Sequence, residues 1–235
     1  MTWYSSNNEI KSGNETRTRS GGLASRRVVA LAAALAPILM CCQTAKGVDD
    51  QNVMRVEEDW EVVLNYPDSD VEAPQFHTVI SPFAHVDSFH LQITWNYREE
   101  TDFAGGGMQL RAWNGEFAAG SKSYREDKLS TTAETITWSQ TMNLDANGTL
   151  TFAVENGSSS TWGAFGGTSA TSLTGKVLMP TLNDYSTATS VKNSWITYGA
   201  NRVDEIRINE VRRYNAAGVL LSRDTTPRIV YQPTE

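Results

Sequence analysis

The sequence predicts an all-β fold, an antiparallel β-sandwich of jelly-roll type preceded by a signal peptide. Three observations carry that reading. Apolar residues alternate with period two from residue 53 onward, turn-forming clusters punctuate the chain, and an arginine pair introduces an apolar run near the N-terminus.

The N-terminal element comes first. Residues 1–24 are polar and show no hydrophobic periodicity, and Arg26-Arg27 then precede VVALAAALAPILMCC (28–42), a run of 15 residues that exits into Gln43-Thr44. A positive pair, an apolar centre and a polar exit define an export signal. The run is shorter than the roughly 18–20 residues a spanning helix needs, and Pro37 interrupts it, so no stable membrane span is expected after processing. Ser25-Arg26-Arg27-Val28-Val29 has a twin-arginine look, while an ordinary secretory signal fits the same residues. Cleavage after Ala45-Lys46-Gly47 satisfies the small-residue rule. Alternatively, Leu39-Met40-Cys41-Cys42 resembles a lipoprotein box with Cys42 lipidated. The expected division is therefore 1–47 for the polar region and signal, and 48–235 for one β-sandwich domain located in the periplasm, on the cell surface or outside the cell.

Within that domain, Met54, Val56, Trp60, Val62, Leu64 and Tyr66 share one phase, interrupted by Glu58. The clearest strand is 86–97, where Phe89, Leu91, Ile93, Trp95 and Tyr97 point one way and His90, Gln92, Thr94 and Asn96 the other, because successive Cβ atoms alternate across a strand. Met108, Leu110 and Ala112 repeat the pattern. Ile136, Trp138 and Met142 share a further phase, as do Leu150, Phe152 and Val154. Breakers separate these runs at Pro67-Asp68, Gly105-Gly106-Gly107, Asp145 to Gly148, Asn156-Gly157, Gly166-Gly167 and Asn215 to Gly218, a frequency that implies hairpins. About a dozen strands without a crossover helix make the sandwich the economical arrangement.

Composition sets limits on function. Apolar residues are 40% and charged residues 20% of the chain, so it can bury a core, to which seven Trp and eight Tyr contribute large side chains. Residues 48–235 hold 14 basic against 25 acidic residues, a net charge of −11, which repels phosphate backbones and excludes nucleic acid as a partner. Both cysteines, Cys41 and Cys42, belong to the signal, so the domain has no disulfide and no thiolate metal site.

The segments FHLQITWNYREE (89–100), GGMQLRAWNGE (106–116), ETITWSQTMNL (134–144) and LTFAVENGSSSTWGAFGG (150–167) together resemble a group of uncharacterised exported bacterial proteins. The closing VDEIRI (203–208) is similar to the last strand of concanavalin-like, laminin-G-type jelly rolls. The first resemblance implies no activity; the second implies the fold.

Several constellations invite chemistry. Glu205 and Glu210 share the spacing of the E-x-D-x-x-E carboxylates of retaining jelly-roll glycosidases, but Arg207 stands where that pattern has Asp, so a non-catalytic pair is expected. His77, His85 and His90 with Asp87 lack metal-ligand spacing and read as structural, and the turn 145–148 supplies too few oxygens for calcium. No phosphate loop or dinucleotide fingerprint is present, and no cofactor or metal is expected. The acidic run 57–61 reads as a solvated strand edge, where charge blocks edge-to-edge pairing.

The best candidate is a sheet face. If 88–97 pairs with 108–114, the polar side brings His90, Gln92 and Asn96 beside Gln109, Arg111 and Trp113, a set of amides, a guanidinium and an indole suited to a sugar. Trp113 is out of place on a bare polar face, so a loop (161–167 or 98–107) or a ligand must cover it, and the loop is the favoured reading. The expected function is a non-catalytic exported protein that binds a glycan or an envelope protein. The alternatives are a divergent polysaccharide-degrading enzyme and a purely structural envelope protein.

Overall fold

The computed structural model describes residues 51–97, 106–125 and 127–234. The signal segment, Cys42 and residues 98–105 of the Gly-rich loop lie outside them. In chain order the strands are β1 (Arg55–Leu64), β2 (Gln75–Ile80), β3 (Phe89–Tyr97), β4 (Gly106–Asn114), β5 (Phe117–Tyr124), β6 (Thr135–Leu144) and β7 (Thr149–Ser159). They continue with β8 (Gly163–Phe165), β9 (Ser172–Lys176), β10 (Trp195–Tyr198), β11 (Val203–Tyr214), β12 (Leu220–Asp224) and β13 (Arg228–Tyr231). One short helix, α1 (Thr187–Asn193), joins β9 to β10.

The strands form two antiparallel sheets packed as a sandwich, the all-β, jelly-roll-like arrangement that the alternation predicts. The larger sheet runs β12-β11-β1-β6-β7-β8, with β13 also on β11 and β9 also on β7; the smaller runs β10-β2-β3-β4-β5. Within the smaller sheet β2, β3, β4 and β5 are antiparallel neighbours in chain order, and a two-residue turn joins β4 to β5. The inner faces meet through aromatic side chains. Trp60 and Trp138, opposite each other on β1 and β6, stack at 5.9 Å, and Trp138 meets Trp95 of the smaller sheet at 4.3 Å. Phe76 and Trp162 close on Trp95 from either side. Trp162 also explains Gly107: a Cβ there would stand 2.5 Å from the Trp162 ring and 2.2 Å from the Asp127 carbonyl, so only glycine fits.

Two expectations are corrected here. Tyr66 does not join the core phase, because β1 ends at Leu64 and the ring is largely exposed. The acidic run 57–61 is not a strand edge either, since β1 lies between β11 and β6 and so is interior to its sheet. Interior placement is tolerated because arginines pair with the outward carboxylates Glu57, Asp59 and Glu61. On the outer face Arg212 donates to Glu57 (2.7 Å), to both oxygens of Asp59 (2.7 and 2.8 Å) and to Glu210 (2.8 Å), while Arg207 pairs with Glu61 at 2.5 Å.

Glu58 faces the other way, into the core, and is fully buried. Its Oε1 accepts from Tyr185 (2.7 Å) and Ser190 (2.5 Å), and its Oε2 from the Trp60 indole (3.0 Å). Burial nevertheless dominates and pushes its pKa up to about 7, against the lowering effect of those donors and of Arg228. These bonds tie the segment 185–190, including the start of α1, to β1. Opposite Glu58 on β6 stands Gln140, also fully buried, whose amide oxygen and nitrogen have no partner among the described residues.

Candidate functional site

The outward face of the smaller sheet is built by register. β3 pairs with β4 as His90 opposite Trp113, Gln92 opposite Arg111 and Thr94 opposite Gln109, so the alternation that turns Phe89, Leu91, Ile93 and Trp95 inward sets these six side chains side by side. β2 adds His77 beside Thr94, and β10 adds Trp195 beside His77. Three outward rows result, the first running Trp195, His77, Thr94, Gln109.

Hydrogen bonds knit the first two rows together. The Gln92 amide donates to His77 Nδ1 (2.9 Å), which places the imidazole proton on Nε2, where it bonds Thr197 Oγ1. Burial, and next the charge of Arg111, push the His77 pKa down to about 4, so the ring is neutral near pH 7. Arg111 donates to Gln109 Oε1 (3.1 Å) and lies 5.2 Å from the centre of the Trp113 ring, which also stacks on His90 at 6.4 Å. Trp195 stacks on His77 at 4.3 Å while keeping 44% of its surface exposed, and Tyr198, opposite Gln75, keeps 57%.

Of the six residues the sequence singles out, five share this face: His90, Gln92, Gln109, Arg111 and Trp113. Gln109 is almost wholly buried, its Nε2 lacking a partner among the described residues. Asn96 is a correction. Its backbone turns left-handed (φ 52°), and its buried side chain bonds Leu129 through both the backbone N–H (2.6 Å) and carbonyl (3.1 Å), so it braces the 129 segment instead of presenting an amide. Trp113 is also not covered by 161–167, because Trp162 and Phe165 of that stretch pack inward on Trp95; the indole is half-buried against Arg111 and His90. Residues 98–105, the other candidate cover, lie outside the described residues.

The sequence reading missed His77, Trp195 and Tyr198 as members of the face. The signal was present in Trp195-Ile196-Thr197-Tyr198, an alternating aromatic run between Ser194 and Gly199, but only pairing with β2 shows which face it joins. Between β3 and α1 the face deepens into a cleft of about 430 Å³ lined by Val79, Val86, His90, Gln92, Lys192, Asn193 and Trp195. A second, of about 600 Å³, is lined by Asp70, Val71, Glu72, Gln75, Thr197 and Tyr198.

Elsewhere the chemistry is structural. Glu205 and Glu210 lie on the outer face of the larger sheet, Glu205 paired with Arg207 (2.8 Å) and Glu210 with Arg212 and Arg223 (both 2.8 Å). Hydrogen bonds from Arg223, then Arg212, hold the Glu210 carboxyl below its ordinary range. Asp145 accepts from the backbone N–H groups of Asn147 (2.8 Å) and Thr149 (2.7 Å), shaping the β6–β7 turn. Among the described residues no three His, Cys, Asp or Glu side chains gather to hold a metal ion, and no helix is long and apolar enough to cross a membrane.

The site thus defined is a polar, aromatic-studded face on one sheet of an all-β sandwich. No family model matches the chain, and no curated protein or solved structure matches it either.

Proposed function

We propose that this chain is an exported binding protein that holds a glycan on the outward face of its five-stranded sheet. The observation that carries the reading is the company kept there by Trp195, Tyr198 and Trp113. These three solvent-accessible aromatics stand on one sheet face among Gln75, Gln92 and His90. Exposed aromatic surface costs on the order of 25 cal/mol per Å² relative to burial, and a sugar ring recovers it by laying its C–H face on the indole while its hydroxyls meet amides and imidazoles. Trp195 and Trp113 sit three strands and two outward rows apart, roughly 20 Å on a flat sheet, a span that suits an oligosaccharide better than a single sugar.

Export rests on Arg26-Arg27 and the apolar run 28–42. The degrading-enzyme alternative has less support, because its carboxylates, Glu205 and Glu210, are committed to arginines on the opposite sheet. A glycan array probed with the chain tests the proposal. Retention of an oligosaccharide, lost in Trp195→Ala, supports it. Retention of no glycan, or equal retention by Trp195→Ala and Trp113→Ala, refutes it.

A further inference from the structure

Resting on that reading, we infer that the sugar seated in the cleft between β3 and α1 carries an acetamido group, so that the glycan is built from an N-acetylated hexosamine. Six side chains of the cleft carry the argument. Val79 on β2 stands across from Gln92 on β3, and Val86 precedes β3. Lys192 and Asn193 end α1, and Trp195 begins β10. Two valines and an indole, two amides and one ammonium thus meet around about 430 Å³, the size class of a small-ligand site. The amides are also oriented. Gln92 Nε2 donates to His77 Nδ1 (2.9 Å) and Thr94 Oγ1 (3.4 Å), and Asn193 Nδ2 donates to the Thr189 carbonyl (2.8 Å). Both nitrogens are engaged within the protein, which leaves the two amide oxygens as acceptors for the cleft. The α1 wall is held in place beforehand. The Val79 N–H donates to Ser194 Oγ (3.0 Å), Ser194 donates to the Ser190 carbonyl (2.7 Å), and Ser190 donates to buried Glu58 (2.5 Å). A wall fixed in this way need not be ordered when a ligand arrives.

Chemistry follows from this placement. A plain hexose lays its C–H face on the indole and gives its hydroxyls to the amide oxygens, but it brings nothing apolar to the valines. An acetamido group joins a methyl, an N–H and a carbonyl in one planar unit. The methyl takes surface of half-buried Val86 and of Trp195 out of water, the N–H donates to an amide oxygen of Gln92 or Asn193, and the carbonyl accepts from the Lys192 ammonium. His77 covers one face of Trp195 at 4.3 Å, so the remaining indole surface is what the sugar meets.

Chemically matched pairs separate this inference from the reading beneath it. Oligomers of N-acetylglucosamine, N-acetylgalactosamine and N-acetylmannosamine are each titrated into the chain beside the glucose, galactose or mannose oligomer of the same linkage, which has a hydroxyl in place of the acetamido group. One N-acetylated form is expected to bind at least about tenfold more tightly than its hydroxyl counterpart, the sum of one buried methyl and one hydrogen bond. Val86→Ser, which removes apolar surface, and Lys192→Met, which keeps the stem and removes the donor, should each erase most of that preference while their thermal midpoints stay near the parent's. Hydroxyl forms binding as well as the N-acetylated ones, a 6-deoxy oligosaccharide (a methyl without the amide) binding as tightly, or a preference that survives both substitutions overturns the acetamido assignment and leaves the glycan reading standing. Binding of no glycan of any kind overturns both.

Discussion

Tyr185 donates its hydroxyl to Glu58 Oε1 at 2.7 Å, joining the segment before α1 to an inward position of β1 across 127 residues of sequence. Ser190 and Trp60 complete the carboxyl's shell, and Arg228 acts on it from β13. The folded state raises the Glu58 pKa from an ordinary 4.5 to about 7, so folding favours the protonated form. Its contribution is fully present below pH 4.5 and is lost as pH rises through 7, a change of about 3 kcal/mol. Urea unfolding measured from pH 4 to 8 should show this loss in the parent, and Glu58→Gln should flatten it, leaving the variant the more stable at pH 8. Parallel curves for the two proteins would contradict the assignment.

Gln140 lies across from Glu58 with neither end of its amide bonded among the described residues. A buried amide without partners costs roughly 1–3 kcal/mol, and Met matches its length without that penalty. Gln140→Met should therefore leave stability unchanged or raise it by about 1 kcal/mol in the same assay. A loss above about 2 kcal/mol would mean that the amide has a bonding role.

Arg212 holds Glu57, Asp59 and Glu210 together on the outer face of the larger sheet. Arg212→Met removes the shared cation and leaves three crowded carboxylates, and partial exposure reduces the cost to about 2 kcal/mol. The Glu210 carboxyl is held below its ordinary range, so its contribution exists above that range and vanishes on acidification. The gap between parent and variant should accordingly shrink toward pH 4; a constant gap would show that Arg212 acts through packing alone.

Trp113 is half-buried beneath Arg111 and beside His90, unlike Trp95, which is fully buried among Phe76, Trp138 and Trp162. Trp113→Ala should cost about 1 kcal/mol, whereas Trp95→Ala should cost about 3–5 kcal/mol. An equal loss at both positions would place Trp113 under a cover.

Export predicts processing. The intact mass of the protein from its native envelope should show loss of the first 40–47 residues, with a diacylglycerol adduct on Cys42 if the lipoprotein route is used. A full-length cytoplasmic species would refute export.

Much of the fold is legible in the sequence, for a local reason. Side-chain direction alternates along any strand, so the inner set Phe89, Leu91, Ile93 and Trp95, and the outer set His90, Gln92, Gln109 and Arg111, follow from spacing alone. Turn residues such as Asp145 act within four residues of themselves, and their hairpin is readable too. Asn96 marks the limit even here, since the contact with Leu129 that turns it off the face lies 33 residues away.

What tertiary structure alone decided is which strand neighbours which, and therefore which charges are buried. No local pattern shows that β1 lies inside its sheet, that Arg212 comes to neutralise its acidic run, or that Tyr185 and Ser190 come to solvate Glu58. Nor does any local pattern bring Trp195 beside His77 to complete the candidate face. Alternation is a property of one strand's geometry, while the pairings of β1 with β11 and of β2 with β10 join segments more than a hundred residues apart, and a buried carboxyl is tolerable only once distant partners have arrived.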